Sequence, residues 1–161
     1  MTVKPASSLI KLFGAILLAG LAGLAVNASA DDPVTLKFVK ADSQELAAEN
    51  GSGTNAVDGN PATFWHTEWQ EVNPRPPHEI LIELSRPCRL DGCTYLPRQD
   101  ESDHGMIKDY EFYVSDDGKD FGQPVKKGAF SDRREMQTVR FDARQARFIK
   151  LKALSEINDE A

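Results

Sequence analysis

Past residue 30 the chain has no run of apolar residues at helical spacing. It has instead short stretches in which apolar and polar residues alternate, each closed by Gly, Pro, Asn or Asp. Residues 34–39 alternate in this way. Residues 79–84 form a compact apolar run, residues 93–96 follow a glycine, and residues 110–114 are rich in aromatics. Residues 138–141 and 148–152 alternate cleanly. Side chains in a strand point to opposite faces in turn, so this pattern buries one face and wets the other. Several such runs at short spacing predict an all-β sandwich or barrel. Asp116-Asp117-Gly118 is the strongest turn signal among them.

The first 30 residues are of another kind. Lys4 and Lys11 precede an uncharged stretch over residues 12–26, and Ala28-Ser29-Ala30 closes it with small residues. A basic start, an apolar middle and a small-residue exit predict a secretory signal cleaved after Ala30. The apolar stretch is about 15 residues, short of the ~20 that span a bilayer. The expected product is one domain, residues 31–161, secreted or periplasmic. Loss of the two lysines leaves 17 basic and 25 acidic side chains, a formal charge of −8. That charge argues against nucleic acid or an anionic membrane as partner, since both recruit basic patches. The Arg133-Arg134 pair is too small to reverse it and reads as a solvated turn.

Cys88 and Cys93 flank Arg89-Leu90-Asp91-Gly92. The turn-forming Asp91-Gly92 predicts a tight turn between two strands, with the cysteines at its ends. Export permits a disulfide there, and two buried free thiols are the alternative. The polar segment over residues 42–77 holds both tryptophans and is rich in Asn and Gly. A loop of that length in a compact domain usually carries function.

Four stretches carry specific information: Glu49-Asn50-Gly51-Ser52-Gly53, the run from Asn55 through Asp58-Gly59-Asn60-Pro61-Ala62-Thr63-Phe64-Trp65-His66-Thr67-Glu68-Trp69, Tyr95-Leu96-Pro97-Arg98-Gln99-Asp100, and residues 107–115. In these residues and in Leu154-Ser155-Glu156 the chain resembles the discoidin, or coagulation factor 5/8 type C, domain. It is most similar to the carbohydrate-binding modules of family 32. The resemblance runs from about Ala41 to Glu156. It implies a discoidin-like, galactose-binding-domain-like jelly-roll β-sandwich of about eight strands, with binding loops at one end. It also implies a non-catalytic, lectin-like role, often beside a glycoside hydrolase.

The resemblance places His66, Trp69 and Arg98 at the sugar-binding positions of galactose binders, and Glu49 at an acidic position found in some of them. The chemistry suits the assignment. Galactose presents a face of C–H groups to an aromatic ring such as Trp69. Arg98 offers a planar fork of donors to the axial hydroxyl, and His66 can donate or accept. Trp65, beside Phe64, is expected in the core. Glu49 is either a hydroxyl acceptor or a solvated loop charge. In the loop from Asp100 to His104 the family often has an Asn, and Asp103 or His104 stands in its place. Galactose, N-acetylgalactosamine or a related glycan is the expected ligand.

The resemblance further implies a structural calcium ion held by the Ala56 carbonyl, Asp58, Asn60 and Thr63, oxygen donors of the kind a hard cation takes. Asn60 stands where Asp is frequent. The family completes this site with a carbonyl and a Glu on a final strand, which is expected beyond Ala161, since Glu160 is not in that context. Catalysis is not expected, because no feature sets Glu49 and Asp100 as the carboxylate pair of a glycosidase. The competing function is a discoidin-type adhesion domain binding protein or lipid.

Overall fold

The computed structural model describes residues 17–18, 34–102 and 104–158. Ala28-Ser29-Ala30, Asp103 and Glu160 lie outside the described residues. Six strands occur among those described: β1 (Leu17–Leu18), β2 (Leu36–Ala41), β3 (His78–Tyr95), β4 (Asp109–Ser115), β5 (Lys126–Ala129) and β6 (Gln137–Ala153). A short 3-10 turn covers Gly53–Val57. All pairings are antiparallel, in the order β1-β3-β6-β4-β5, and β2 also pairs with β3.

The strand count differs from the expected eight because β3 and β6 are long. The runs at residues 79–84 and 93–96 are two parts of β3, and those at residues 138–141 and 148–152 are two parts of β6. The parts are joined by irregularities in register, between Glu83 and Cys88 and between Leu90 and Gly92. Pro87, which cannot donate to a ladder, falls in the first of these. The irregularities change the burial pattern of β3. Ile80, Ile82, Leu84, Cys88 and Leu90 are buried before the second, and all of residues 92–95 are buried after it. A straight strand of this length would reach about 60 Å. Yet His78 and Tyr95, its two ends, line one cavity. β3 therefore folds over, and the sheet becomes the two layers of a sandwich.

Between the layers lies one core. Ile80, Ile82, Leu84, Phe112, Ile149 and Leu151 sit at its centre, each at most 2% exposed. Phe130 stacks between Tyr95 and Tyr110 at centroid distances of 4.3 and 4.2 Å, joining the end of β3 to β4. A bulge in β2 after Phe38 shifts its phase, so that Leu36, Phe38 and Ala41 all pack on the core while Val39 is exposed. β5 is an exposed edge, and Lys126 and Lys127 discourage further pairing there. Beyond β4, Asp117 accepts from the backbone of Lys119 and Asp120, closing the expected turn.

The tight turn expected at Cys88 and Cys93 does not occur. Both are free, buried and on the continuous strand β3. No disulfide joins them, and the register irregularity between Leu90 and Gly92 lies in the segment between them. Gly92 serves packing instead: a Cβ there would lie 2.4 Å from the Val139 carbonyl of β6. Burial pushes both thiols upward from their ordinary pKa, which leaves them unreactive. β1, inside the apolar N-terminal stretch, pairs with Cys93 and Thr94 at the edge of β3. Cleavage after Ala30 would remove that partner. No helix among the described residues is long and apolar enough to cross a membrane.

Candidate functional site

The long loop between β2 and β3 is organised by a carboxylate. Glu45 is fully buried, and its Oε1 accepts from the backbone of Ala47 and Ala48 at 2.8 and 2.9 Å. Its Oε2 accepts from Trp69 and Gln70 at 3.1 and 3.0 Å. The Glu45 N–H donates to the His66 carbonyl, and the Glu45 carbonyl accepts from Gly51. These bonds, with that from Ala48 the strongest influence, hold the Glu45 carboxyl down at about 2. One residue thus fixes the backbone that presents His66, through its main chain, and Trp69, through its side chain. Nearby, Trp65 packs against the core and donates to the Ser43 carbonyl at 2.9 Å. Trp69 is 44% exposed. The two tryptophans therefore divide as expected, one inward and one outward.

Glu49, His66 and Trp69 form one network. The Glu49 Oε1 is bonded to His66 Nδ1 and accepts from Trp69 Nε1 at 3.0 Å. Burial pushes the Glu49 carboxyl up, but the His66 and Trp69 hydrogen bonds outweigh it and hold it below the usual range. A carboxylate accepting at Nδ1 keeps a proton on that nitrogen and leaves Nε2 as the ring nitrogen open to a further partner. Glu49 is thus more than a solvated loop charge: its Oε1 is bonded to both the imidazole and the indole.

Arg98 comes from the loop after β3. Its guanidinium carbon lies 4.4 Å from the centre of the Phe64 ring. Asp100 accepts from its Nε and Nη2, both at 2.6 Å, and the His104 carbonyl accepts from Nη1 at 2.9 Å. Three of the five N–H groups are committed, and two remain for a ligand. The Arg98 hydrogen bonds also hold the Asp100 carboxyl below its usual range. Both Asp100 carboxylate oxygens are thus committed to Arg98.

These residues share a cavity of about 490 Å³, whose walls include Glu49, His66, Trp69, Arg98, His104 and Glu156. Glu156 accepts from the Gly105 N–H at 2.8 Å and so anchors the loop that carries His104. Gly105 has φ +75°, and a Cβ there would lie 2.9 Å from His66 Nε2. Four contributors to the site escaped the sequence reading: Glu45, Asp100 as a partner of Arg98, Gly105, and Arg134. The Arg134 guanidinium is not solvated in a turn. It donates to four carbonyls of the Arg98 loop.

Three of the four residues implied for calcium, Asp58, Asn60 and Thr63, gather. Asp58 Oδ2 accepts from the Thr63 hydroxyl at 2.6 Å, and the Asn60 carbonyl accepts from the same hydroxyl at 3.0 Å. Asp58 Oδ1 accepts from the Asn60 N–H. With the Ala56 carbonyl, the donors are all oxygen, which fits a hard cation. Among the described residues no cluster of three or more His, Cys, Asp or Glu could hold a metal, so such a site would rest mainly on carbonyl and hydroxyl donors.

Fold and site together define an all-β sandwich with an aromatic and polar pocket built largely by its loops. The family model of the F5/8 type C domain matches residues 38–161, and the chain belongs to that family. A sialidase of Micromonospora viridifaciens is 40% identical over 126 residues, which cover 78% of this chain and 19% of the sialidase. A galactose oxidase of Gibberella zeae is 36% identical over 116 residues, 71% of this chain and 17% of the oxidase. The chain thus spans under a fifth of these relatives' length. Among solved structures, a Clostridium perfringens family 32 module in complex with GalNAc-β-1,3-galactose aligns with a TM-score of 0.68 at 30% identity, covering 76% of this chain and 86% of that one. The family 32 module of NanJ from the same organism, in complex with galactose, aligns at 0.64 and 26% identity, covering 78% and 85%.

Proposed function

We propose that this chain is an exported, non-catalytic module that binds galactose-type sugars. The observation that carries the reading is the convergence of Glu49, His66, Trp69 and Arg98 on one cavity. The exposed Trp69 ring offers a stacking platform for the C–H face of the sugar. The two remaining Arg98 N–H groups offer donors to its hydroxyls, and His66 Nε2 offers a further hydrogen-bonding partner. Two similar modules were solved with galactose or a GalNAc–galactose disaccharide bound. Calcium, held by Ala56, Asp58, Asn60 and Thr63, would brace the loop that leads into His66. A shallow single-sugar site of this kind gives a Kd of roughly 0.1–1 mM.

The test is calorimetry with galactose, N-acetylgalactosamine and glucose on the wild type, Trp69→Ala and Arg98→Ala. Galactose-type sugars should bind the wild type and neither variant, with the fold retained. A wild type that ignores every galactose-type sugar refutes the reading. Export is checked by the N-terminus of the secreted protein, which should be Asp31. The exposed Leu46 and Val72, on loop segments joined through Glu45 to those of Trp69, favour as a second reading adhesion to a lipid surface. Sedimentation with liposomes, unaffected by free galactose, would support it.

A further inference from the structure

Arg134 lies in the connection between β5 and β6, far in sequence from Arg98. Its Nη1 donates to the Arg98 carbonyl at 3.1 Å and to the Asp100 carbonyl. Its Nη2 donates to the Glu101 and Ser102 carbonyls at 3.1 and 3.0 Å. Four carbonyls of one short loop therefore turn to a single cation. The connection is reciprocal, since Gln99 Nε2 donates to the Arg134 carbonyl at 2.9 Å. Buried Gln137 in turn fixes the Arg134 side of this contact: it accepts from Ser131 and donates to the Ser131 and Arg133 carbonyls. Arg134 itself does not line the cavity.

We propose that Arg134 is a positioning residue for sugar binding, acting through the Arg98–Asp100 pair; the proposal rests on the galactose reading above. Arg134 holds the backbone of both partners of that pair. Asp100 then fixes the Arg98 fork in its plane over Phe64, which leaves two N–H groups for the ligand. A planar guanidinium suits the task because it spreads its donors over several acceptors, whereas an ammonium is a point charge. Charge assistance strengthens each bond to the loop.

The experiment titrates galactose by NMR into the wild type, Arg134→Ala, Arg134→Lys, Asp100→Asn and the double variant Arg134→Ala/Asp100→Asn, with thermal unfolding of each. Arg134→Ala should weaken galactose binding at least tenfold, and Arg134→Lys should recover only part of that loss. The Arg134→Ala and Asp100→Asn losses should be strongly non-additive, because both act through one side chain. A purely structural role for Arg134 would instead give additive losses, and that result overturns the proposal. So does wild-type affinity in Arg134→Ala. If Arg134→Ala does not fold, Arg134→Lys decides: it must bind at least threefold more weakly, and wild-type affinity there also overturns the proposal. A wild type without galactose affinity sinks the functional reading and this inference together, whereas a binding wild type with indifferent variants sinks this inference alone.

Discussion

An alanine at position 105 would meet two separate penalties, and a second glycine in the same domain isolates one of them. Gly105 has φ +75° and Gly122 has φ +53°. At either position an L side chain in the left-handed region costs about 1–2 kcal/mol. Part of this, about 0.4–1 kcal/mol, is offset because alanine restricts the unfolded chain. Gly122→Ala, whose Cβ would find nothing within 4 Å, should therefore cost about 1 kcal/mol and nothing more. At Gly105 the new Cβ would lie 2.9 Å from His66 Nε2 and 3.1 Å from Cδ2. The imidazole must yield by several tenths of an ångström, against its bond to Glu49.

Gly105→Ala should thus cost more stability than Gly122→Ala, by about a further 1 kcal/mol for the overpacked contact. It should also weaken galactose binding at least tenfold, about 1.4 kcal/mol, because the methyl group covers the nitrogen offered to the sugar. Gly122→Ala should bind as the wild type does. Urea unfolding measures the first pair of values and calorimetry the second. Equal stability losses in the two variants would refute the overpacked contact with His66, and undiminished galactose binding in Gly105→Ala would show that the His66 Nε2 edge is not the surface the ligand uses.

Three other outcomes follow from the same coordinates. The Glu45 carboxyl is lowered from 4.5 to about 2, so its contribution to stability is complete above pH 4.5 and is lost as pH falls towards 2; Glu45→Gln should be less stable at neutral pH and lose less across that window, and parallel pH profiles would refute the role. Asp117, also lowered to about 2, titrates in both proteins and cancels in the difference. The Thr94 hydroxyl is buried without a hydrogen-bond partner among the described residues, so Thr94→Val should stabilise by about 1 kcal/mol and raise the midpoint by about 4 °C; a loss of stability would reveal a partner for that hydroxyl. Chelation by EDTA should lower the midpoint and added calcium restore it, since an ion bound only by the native state stabilises it; identical melting curves would remove calcium from the loop.

Period-two alternation located the strands well, because it reports which face of a local segment is buried. It could not report continuity. Residues 79–84 and 93–96 read as separate strands since Pro87 and Asp91-Gly92 carry ordinary turn chemistry. Ladder pairing with β6 keeps both segments in one strand and absorbs those residues as irregularities of register. The misplaced cysteine turn has the same origin. Gly92 is required by the backbone of β6 across the ladder, a contact that no local pattern announces.

The cavity-lining residues Trp69, His66 and Arg98 were legible for a different reason. Trp69, His66 and Arg98 are costly side chains to expose or to order without purpose, and they stand at spacings shared with a known family. Their supports have no such signature. Glu45 looks like any loop carboxylate until four backbone N–H groups, two of them more than twenty residues away, are seen to converge on it. Arg134 looks like half of a solvated basic pair until the sandwich brings the β5–β6 connection against the Arg98 loop. In both cases the charge is matched by main-chain dipoles, and main-chain dipoles are the one partner whose direction the amino-acid sequence does not spell out. The pocket is thus built from two layers of residues: an inner set identifiable by side-chain chemistry, and an outer set identifiable only once the backbone they hold has been traced.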